Sequence, residues 1–159
     1  MKLLNSDYPT PLPTSSYRID VLRKTRFEEY HGKVRLEDLR SVVTAMASDP
    51  CWCAEQHVLA DFTDAVLEMS SNDVLRMALT LRQEGNRSHG WMIFVVNDPV
   101  SYGVVRMLGY WSRNTDRFRI FQNREEADRW LGRHLHEFPP VFRDIHATPS
   151  TRVALREVV

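Results

Sequence analysis

The sequence predicts an α/β protein: a mixed sheet of about five strands with four helices, in the order ββαβαβαβα. Three observations carry this prediction. Near the start, residues 17–21 alternate apolar and polar side chains, as a half-buried strand does, and residues 25–30 can form a second strand beside it. After a first helical stretch, three short apolar segments follow, each succeeded by apolar residues at helical spacing. The most continuous segment, residues 91–96, is bounded by Gly90 and Asn97-Asp98-Pro99, which is typical of a central strand.

Length and composition indicate one folded domain in a chain of 159 residues, of which 43% are hydrophobic and 26% charged. We expect the domain to span residues 17–138. A flexible, proline-containing segment over residues 1–16 precedes it, and a tail over residues 139–159 follows it. No apolar run approaches the roughly 18 residues of a membrane span, and the N-terminal apolar stretch is too short for a secretory signal. A cytosolic protein is therefore expected.

The charge balance disfavours nucleic acid as a partner, because 21 Lys and Arg residues are matched by 21 Asp and Glu. The two cysteines, Cys51 and Cys53, form neither a disulfide framework nor half of a zinc ribbon, so reduced thiols are expected. His57 lies four residues after Cys53, but that spacing does not place both side chains on one face of a strand. No metal site and no cofactor are predicted, and the sequence contains no serine-hydrolase elbow, phosphate-binding loop or zinc-protease motif.

The first half of the domain begins with strands at residues 17–21 and 25–30, joined by a turn at Arg23-Lys24, and Gly32 is expected to end the second strand. A first helix then ends before Asp49-Pro50. Its inward face is predicted from helical spacing to consist of Leu36, Leu39, Val42, Val43 and Met46. Residues 57–62 are predicted to form a buried strand that ends in a loop.

The second half of the domain consists of two further strand–helix pairs after a second helix, which is expected to end around Gly85-Asn86. Residues 91–96 form the next strand, and Pro99 suits the first turn of the third helix. Residues 118–121 form the last strand, and the fourth helix opens at Arg124. The inward residues of the three helices are predicted to be Val74, Met77, Ala78 and Leu81, then Val104, Met107, Leu108 and Trp111, and finally Ala127, Trp130 and Leu131.

Three stretches in this order resemble the STAS superfamily, and more closely its offshoot of small SpoIIAA-like bacterial proteins. They are GKVRLEDL (residues 32–39), VLADF (58–62), and FRIF with ADRWL (118–121 and 127–131). The resemblance covers residues 17–135. It implies a SpoIIAA-like fold and a regulatory or protein-interaction role without enzymatic activity.

The resemblance also singles out Ser70. In phosphorylated members of the family, a serine at the start of the helix after the central strand accepts the phosphate, and counting from Asp61 places Ser70 there. Met69 and Asn72 depart from the family's acidic residue and glycine. The alternative, which the spacing of Ser70 and Asp73 favours, is a helix N-cap.

A loop after the central strand is the candidate interaction site, with Asp61, Asp64, Ser71 and Asp73 presented to a protein partner. Asp61 and Asp64 also lie where α/β sheets place ligands, beyond the C-terminal end of a strand, which leaves an enzyme as an alternative.

A second candidate surface lies on the third helix, where Tyr102, Arg106 and Arg113 are predicted to form one exposed stripe for an anionic group or an acidic partner. A solvated face without a ligand is the alternative.

The leading hypothesis is a non-enzymatic interaction module with an unidentified protein partner. The first alternative is a carrier of a small apolar or lipid-like ligand, because the offshoot also resembles the CRAL-TRIO fold and the second and third helices have wide apolar faces. The second alternative is the enzyme that uses Asp61 and Asp64. The oligomeric state is left open, with a homodimer among the options.

Overall fold

The computed structural model describes residues 13–83 and 88–138. Within them, five strands and four helices occur in the predicted order, with one 3-10 turn, Thr115–Arg117, before the last strand. The elements are β1 (Ser15–Asp20), β2 (Thr25–Val34), α1 (Leu36–Ala47), β3 (His57–Leu67), α2 (Ser71–Arg82), β4 (Met92–Val95), α3 (Pro99–Trp111), β5 (Phe118–Phe121) and α4 (Arg124–His134). The first twelve residues of the predicted N-terminal segment, the predicted helix end at Gly85-Asn86 and the predicted tail at 139–159 lie outside the described residues.

The sheet has the order β1-β2-β3-β4-β5, and its strands are parallel except for β1, which pairs with β2 in the antiparallel direction. Helices α1, α2 and α3 pack against one face, where Tyr30, Phe62 and Phe94 contribute to the larger core. Helix α4 packs against the other face over a smaller core that includes Leu59 and Ile93. Among the described helices, none is long and apolar enough to cross a membrane.

Strand β2 is longer than predicted, and the expectation that Gly32 ends it is wrong. The strand continues to Val34, with a shift in its pairing to β3 between Glu29 and His31. Gly32 has φ +70°, a left-handed conformation that glycine adopts without a steric penalty, and it stays paired with Ala65 of the neighbouring strand.

Strand β3 is also longer than predicted. It runs five residues beyond Phe62, to Leu67, because Ala65 and Leu67 turn inward and are buried while the backbone stays paired with the end of β2. The predicted loop after Asp61 is therefore wrong: Asp61 and Asp64 lie within the strand, and Ser71 and Asp73 lie in the first turn of α2.

Helix α3 begins as predicted. The Asp98 side chain caps it by accepting a hydrogen bond from the backbone N–H of Ser101 at 2.8 Å, and Pro99 occupies the first turn. Ser101 is fully buried, and its Oγ accepts a hydrogen bond from the backbone N–H of Leu67 at 3.1 Å. The start of α3 is thereby attached to the end of β3.

Helix α4 is attached to the sheet through His57, a fully buried residue at the start of β3. Its Nδ1 accepts a hydrogen bond from the backbone N–H of Trp91 at 3.0 Å, and its Nε2 lies 2.9 Å from the backbone O of Leu135. These partners require the neutral ring with the proton on Nε2. Burial lowers the pKa of His57, and the charges of Arg117, His136 and Lys24 add to this effect against the opposing hydrogen bond to Leu135.

Candidate functional site

Ser70, the residue singled out by the family resemblance, caps α2. Its Oγ accepts a hydrogen bond from the backbone N–H of Asp73 at 3.2 Å, and Asp73 Oδ2 accepts from the Ser70 backbone N–H at 3.0 Å. The Ser70 hydroxyl also donates to Asp73 Oδ2 at 2.7 Å. The hydrogen bonds from Ser70 lower the pKa of Asp73, so the carboxylate stays charged beside the hydroxyl. The capping box predicted from the spacing is present, and phosphorylation of Ser70 stays a prediction.

Asp61 and Asp64 occupy different environments within β3. Asp61 accepts hydrogen bonds from Arg124 Nη1 at 3.0 Å and from the backbone N–H of Thr63 at 2.9 Å. Burial acts to raise the pKa of Asp61, but the hydrogen bonds from Thr63 and Arg124 outweigh it and lower the pKa. The side chain of Asp64 is 77% exposed, and its carboxylate lies 4.0 Å from His31 Nδ1. Because Arg124 is the first residue of α4, its ion pair with Asp61 attaches the start of that helix to the sheet.

The predicted stripe on α3 is only partly formed. The Arg106 guanidinium lies 5.9 Å from the centre of the Tyr102 ring, and both side chains are exposed. Arg113 lies beyond the helix, which ends at Trp111, and it has a φ of +58°. Including Arg113 in one helical stripe is therefore wrong, because the backbone has turned before that residue.

The two cysteines, Cys51 and Cys53, are exposed and free. Both ring nitrogens of His57 form hydrogen bonds within the fold, so His57 is not available to bind a metal together with the two cysteines. In the described parts of the chain, no group of three metal-binding side chains is close enough to hold an ion.

An apolar space lies between the sheet and the three helices on its larger core. This helix–sheet cavity has a volume of about 40 Å³. Its apolar lining is contributed by β3, β4, the connection from β3 to α2, and all three helices: Leu39, Val43, Val58, Ala60, Phe62, Leu67, Met69, Val74, Met77, Leu81, Met92, Phe94, Val104, Val105 and Leu108. A concave apolar site with a few converging polar groups is typical of small-molecule binding sites.

The polar groups of the helix–sheet cavity come from β2. Arg26, Glu28 and Tyr30 alternate along this strand and face the same side of the sheet. Arg26 Nε donates to Glu28 Oε1 at 2.6 Å, and the Tyr30 hydroxyl donates to Glu28 Oε2 at 2.8 Å. We call these three residues the β2 triad.

The β2 triad is buried: its members are 5%, 6% and 2% exposed. A buried ion pair is a weak source of stability, because desolvation of both charges offsets their attraction. Burial raises the pKa of Tyr30 well above its usual 10.0, and the charge and hydrogen bond of Glu28 act in the same direction, so the phenol keeps its proton. The triad thus places a fixed set of charges and donors in an apolar space, which is an expensive arrangement for a purely structural core.

A second space adjoins the cavity. This outer chamber has a volume of about 20 Å³ and shares Arg26, Val43, Val58, Leu81 and Met92 with the helix–sheet cavity. Its other described lining residues are Met46, Ser88, Asn114 and Arg117. Because five residues border both spaces, the two adjoin each other.

Arg117 is held in a defined orientation at the outer chamber. Its Nε and Nη2 donate to the backbone O of Gly90 at 3.0 and 2.8 Å, and Nη1 lies 3.5 Å from Asn114 Oδ1. Neither Arg117 nor any member of the β2 triad was predicted from the sequence to belong to a site. The available signal was the alternation of Arg26, Glu28 and Tyr30, which is ordinarily typical of the exposed face of an edge strand.

The comparisons with known proteins identify the fold. No family model matches the chain, and no curated protein matches it. Among solved structures, the chain is similar to an uncharacterized protein of the DUF3478 family from Shewanella loihica PV-4, which has a SpoIIAA-like fold. The TM-score is 0.52 at 16% sequence identity, and the match covers 77% of this chain and 97% of that chain. The likeness confirms the predicted SpoIIAA-like fold.

Proposed function

We propose that this chain is a non-enzymatic SpoIIAA-like binding module that holds a small, largely apolar ligand in the helix–sheet cavity. The observation that supports the proposal is the β2 triad in the floor of that cavity. A core that only stabilises the fold is better filled with apolar side chains, whereas a binding site needs a few polar groups that fix the orientation of a ligand. The carrier alternative from the sequence is thus favoured over the loop-mediated interaction module.

Binding is tested with N-phenyl-1-naphthylamine, an uncharged apolar fluorophore whose emission rises when it leaves water. We expect saturable binding by the wild-type chain. Native mass spectrometry of the purified protein adds an independent readout, and we expect a retained adduct of a small apolar molecule.

The site is identified with a variant that fills the cavity. Ala60 is buried and lines the cavity, so Ala60→Leu places three additional carbons in the open space. We expect this variant to bind the fluorophore at least about ten-fold more weakly while its thermal stability is maintained, because filling a real void does not overpack the core. Ala45→Leu makes the same change at an exposed position of α1 and is expected to bind as the wild type does.

The proposal fails if the wild-type chain binds no fluorophore and retains no adduct. It also fails if Ala60→Leu is folded and binds as tightly as Ala45→Leu. Should Ala60→Leu lower the melting temperature, the smaller change Val74→Ile at another lining residue repeats the test.

A second candidate function, binding of a protein partner, is favoured by one observation on α2. Ser71, Leu75 and Leu79 follow one another at intervals of four residues and therefore share a face. The two leucines are 43% and 50% exposed. This outer face replaces the predicted loop as the candidate docking surface.

The partner hypothesis predicts that the double variant Leu75→Asp/Leu79→Asp loses a protein that the wild-type chain captures. Val100→Asp is the control, because Val100 is an exposed apolar residue on α3 with 65% exposure. Equal capture by the double variant and the control would exclude the α2 face.

A further inference from the structure

We infer that the free edge of β1 binds the same edge of a second copy of this chain, so that the two β1 strands pair in the antiparallel direction about a twofold axis at Tyr17. The two five-stranded sheets then form one continuous sheet. This inference goes beyond the proposed function and does not depend on the helix–sheet cavity.

The outer edge of β1 presents a row of backbone groups. The backbone N–H of His31 donates to the backbone O of Thr14 at 2.9 Å, just before β1 begins. Because successive residues of a strand direct their backbone groups alternately to its two sides, the even-numbered residues of β1 face β2 and the odd-numbered ones face away. The outward-facing residues are Ser15, Tyr17 and Ile19. No strand among the described residues pairs with them.

The opposite edge of the sheet is protected by its own side chains. Strand β5 is four residues long, and the N–H of Phe118 donates to the backbone O of Asn114 at 3.1 Å. The O of Phe118 accepts a hydrogen bond from Arg119 Nη1 at 2.7 Å. Strand β1 is longer, contains neither a proline nor a bulge, and has no comparable side-chain cover within the described residues. Of the two edges, β1 is therefore the one open to another strand.

The charges beside β1 fit a twofold pairing centred on Tyr17. In that register, Arg18 of the second copy lies directly opposite Ser16, and Ser16 is paired on its other side with Glu29. Ser16 is small, and Glu29 is exposed and has no ion pair within the part of the chain that the structure describes. The guanidinium of the second copy therefore reaches the Glu29 carboxylate across Ser16. The symmetry forms this contact twice.

The ion pairs determine the register, whereas the backbone supplies most of the strength. In the single chain, the Arg18 guanidinium lies 4.2 Å from the centre of the Phe27 ring, and Arg124 lies over the same ring at 5.5 Å. When Arg18 turns to Glu29 of the second copy, it exchanges a cation–π contact for an exposed ion pair of similar strength. The three outward-facing residues of each copy form about six N–H···O bonds in this register.

The turn after β1 carries exposed apolar side chains. Val21 and Leu22 are 61% and 97% exposed, so they have little contact with the described chain. In the twofold register, Val21 lies opposite Pro13 of the second copy, which precedes that copy's β1 strand. Pairing thus brings apolar surface of the second copy beside a turn that is otherwise in solvent.

Self-association is tested by sedimentation velocity of the full chain. We expect a shift from monomer to dimer as the concentration rises from about 1 to 300 µM, because an interface built on one pair of strands is small and its dissociation constant falls in the micromolar range.

Charge reversals locate the interface. Arg18→Glu and Glu29→Arg each place like charges together and are expected to weaken the dimer by about ten-fold or more. The double variant Arg18→Glu/Glu29→Arg restores opposite charges and should associate within about three-fold of the wild type. Arg106→Glu, at an exposed position of α3, makes the same charge change away from the edge and should leave association unchanged.

Hydrogen exchange provides a second readout with an internal control. At low concentration, the outward-facing amides of β1 should exchange quickly, and at high concentration they should be protected. The amides that face β2 should be protected at both concentrations, because their partners lie within the same chain. Those control amides are Ser16, Arg18 and Asp20.

Four results would overturn the inference. A wild-type chain that stays monomeric over the whole concentration range excludes the second copy. Outward-facing amides that are protected at every concentration mean that the edge is covered within one chain. A dimer that survives Arg18→Glu but is lost in Leu75→Asp/Leu79→Asp assigns self-association to α2. Failure of the double reversal to restore a dimer lost in both single variants excludes the proposed register. None of these results bears on fluorophore binding, so the proposed function is tested separately.

Discussion

The Tyr30 hydroxyl is expected to stabilise the fold through its hydrogen bond to Glu28, and Tyr30→Phe isolates this contribution. The ring of Tyr30 stacks on Phe62 with centroids 4.4 Å apart, and phenylalanine retains that contact. The change removes only a donor that lies 2.8 Å from a buried carboxylate oxygen. Hydrogen bonds to charged groups contribute about 1.5–3 kcal/mol, and the lost donor leaves Glu28 Oε2 without this partner.

We therefore expect Tyr30→Phe to lower the free energy of unfolding by about 2 kcal/mol. For a domain of this size, that corresponds to a fall in melting temperature of about 4–8 °C. Urea unfolding followed by circular dichroism measures the difference. Tyr110→Phe is the matched control, because Tyr110 is 73% exposed, and its effect should stay within about 0.5 kcal/mol.

A double-mutant cycle assigns the effect to the carboxylate. In a Glu28→Gln background, the same Tyr30→Phe change should cost about 1 kcal/mol, because the acceptor is then neutral. Two results would refute the reasoning: Tyr30→Phe no more destabilising than Tyr110→Phe, or an unchanged effect in the Glu28→Gln background. Either would mean that the hydroxyl finds water as a substitute partner and that the β2 triad is not closed to solvent.

Three further predictions concern the attachment of the helices. Burial keeps the pKa of His57 in the folded state below its usual 6.5, so the stability that the neutral ring confers is fully present above pH 6.5 and falls as the pH drops below it. The urea concentration at the midpoint of unfolding should therefore decrease between pH 7.5 and pH 5.5. A midpoint that does not change with pH would contradict the buried neutral ring. Ser70→Ala should lower the free energy of unfolding by about 1 kcal/mol through loss of the cap, whereas Ser71→Ala should change it little; equal effects would argue against the capping box. Asp61→Asn should lower the free energy of unfolding, measured in urea, by about 1 kcal/mol, because its partly buried ion pair with Arg124 is weakened. Asp64→Asn, which changes an exposed carboxylate, should leave that free energy nearly unchanged. A larger effect of Asp64→Asn would mean that Asp61 does not attach α4 to the sheet.

The helices were predictable because their signals are local. The start of α3 is determined by Asp98 and Pro99, which act within one turn, and the cap of α2 by Ser70 and Asp73. Apolar residues at helical spacing correctly indicated the inward faces, as with Val104 and its neighbours in the larger core.

The strand ends and the cavity were not predictable, because they depend on residues distant in the sequence. A glycine commonly marks the end or a bulge of a strand, but here the residues of β2 around and after Gly32 pair with residues 64–67, so the strand continues beyond it. Arg26 and Glu28 alternate with Phe27, which indicates one apolar and one solvated face. The strand is instead covered on both sides, by α1–α3 over the Arg26 side and by the smaller core over Phe27, and local sequence does not encode that coverage.

Because the Leu67 amide donates its hydrogen bond to the Ser101 hydroxyl of α3, hydrogen exchange at this one amide reports on movement of the helix. A strand amide that is bonded to a neighbouring strand exchanges with deuterium when the sheet opens, whereas the Leu67 amide is released when the first turn of α3 lifts away. The same helix supplies Val104, Val105 and Leu108 to the roof over the apolar interior. The exchange rate of the Leu67 amide therefore measures how often α3 moves away from the sheet. A ligand bound in the cavity should slow exchange at Leu67 more than exchange at the central amides of β3.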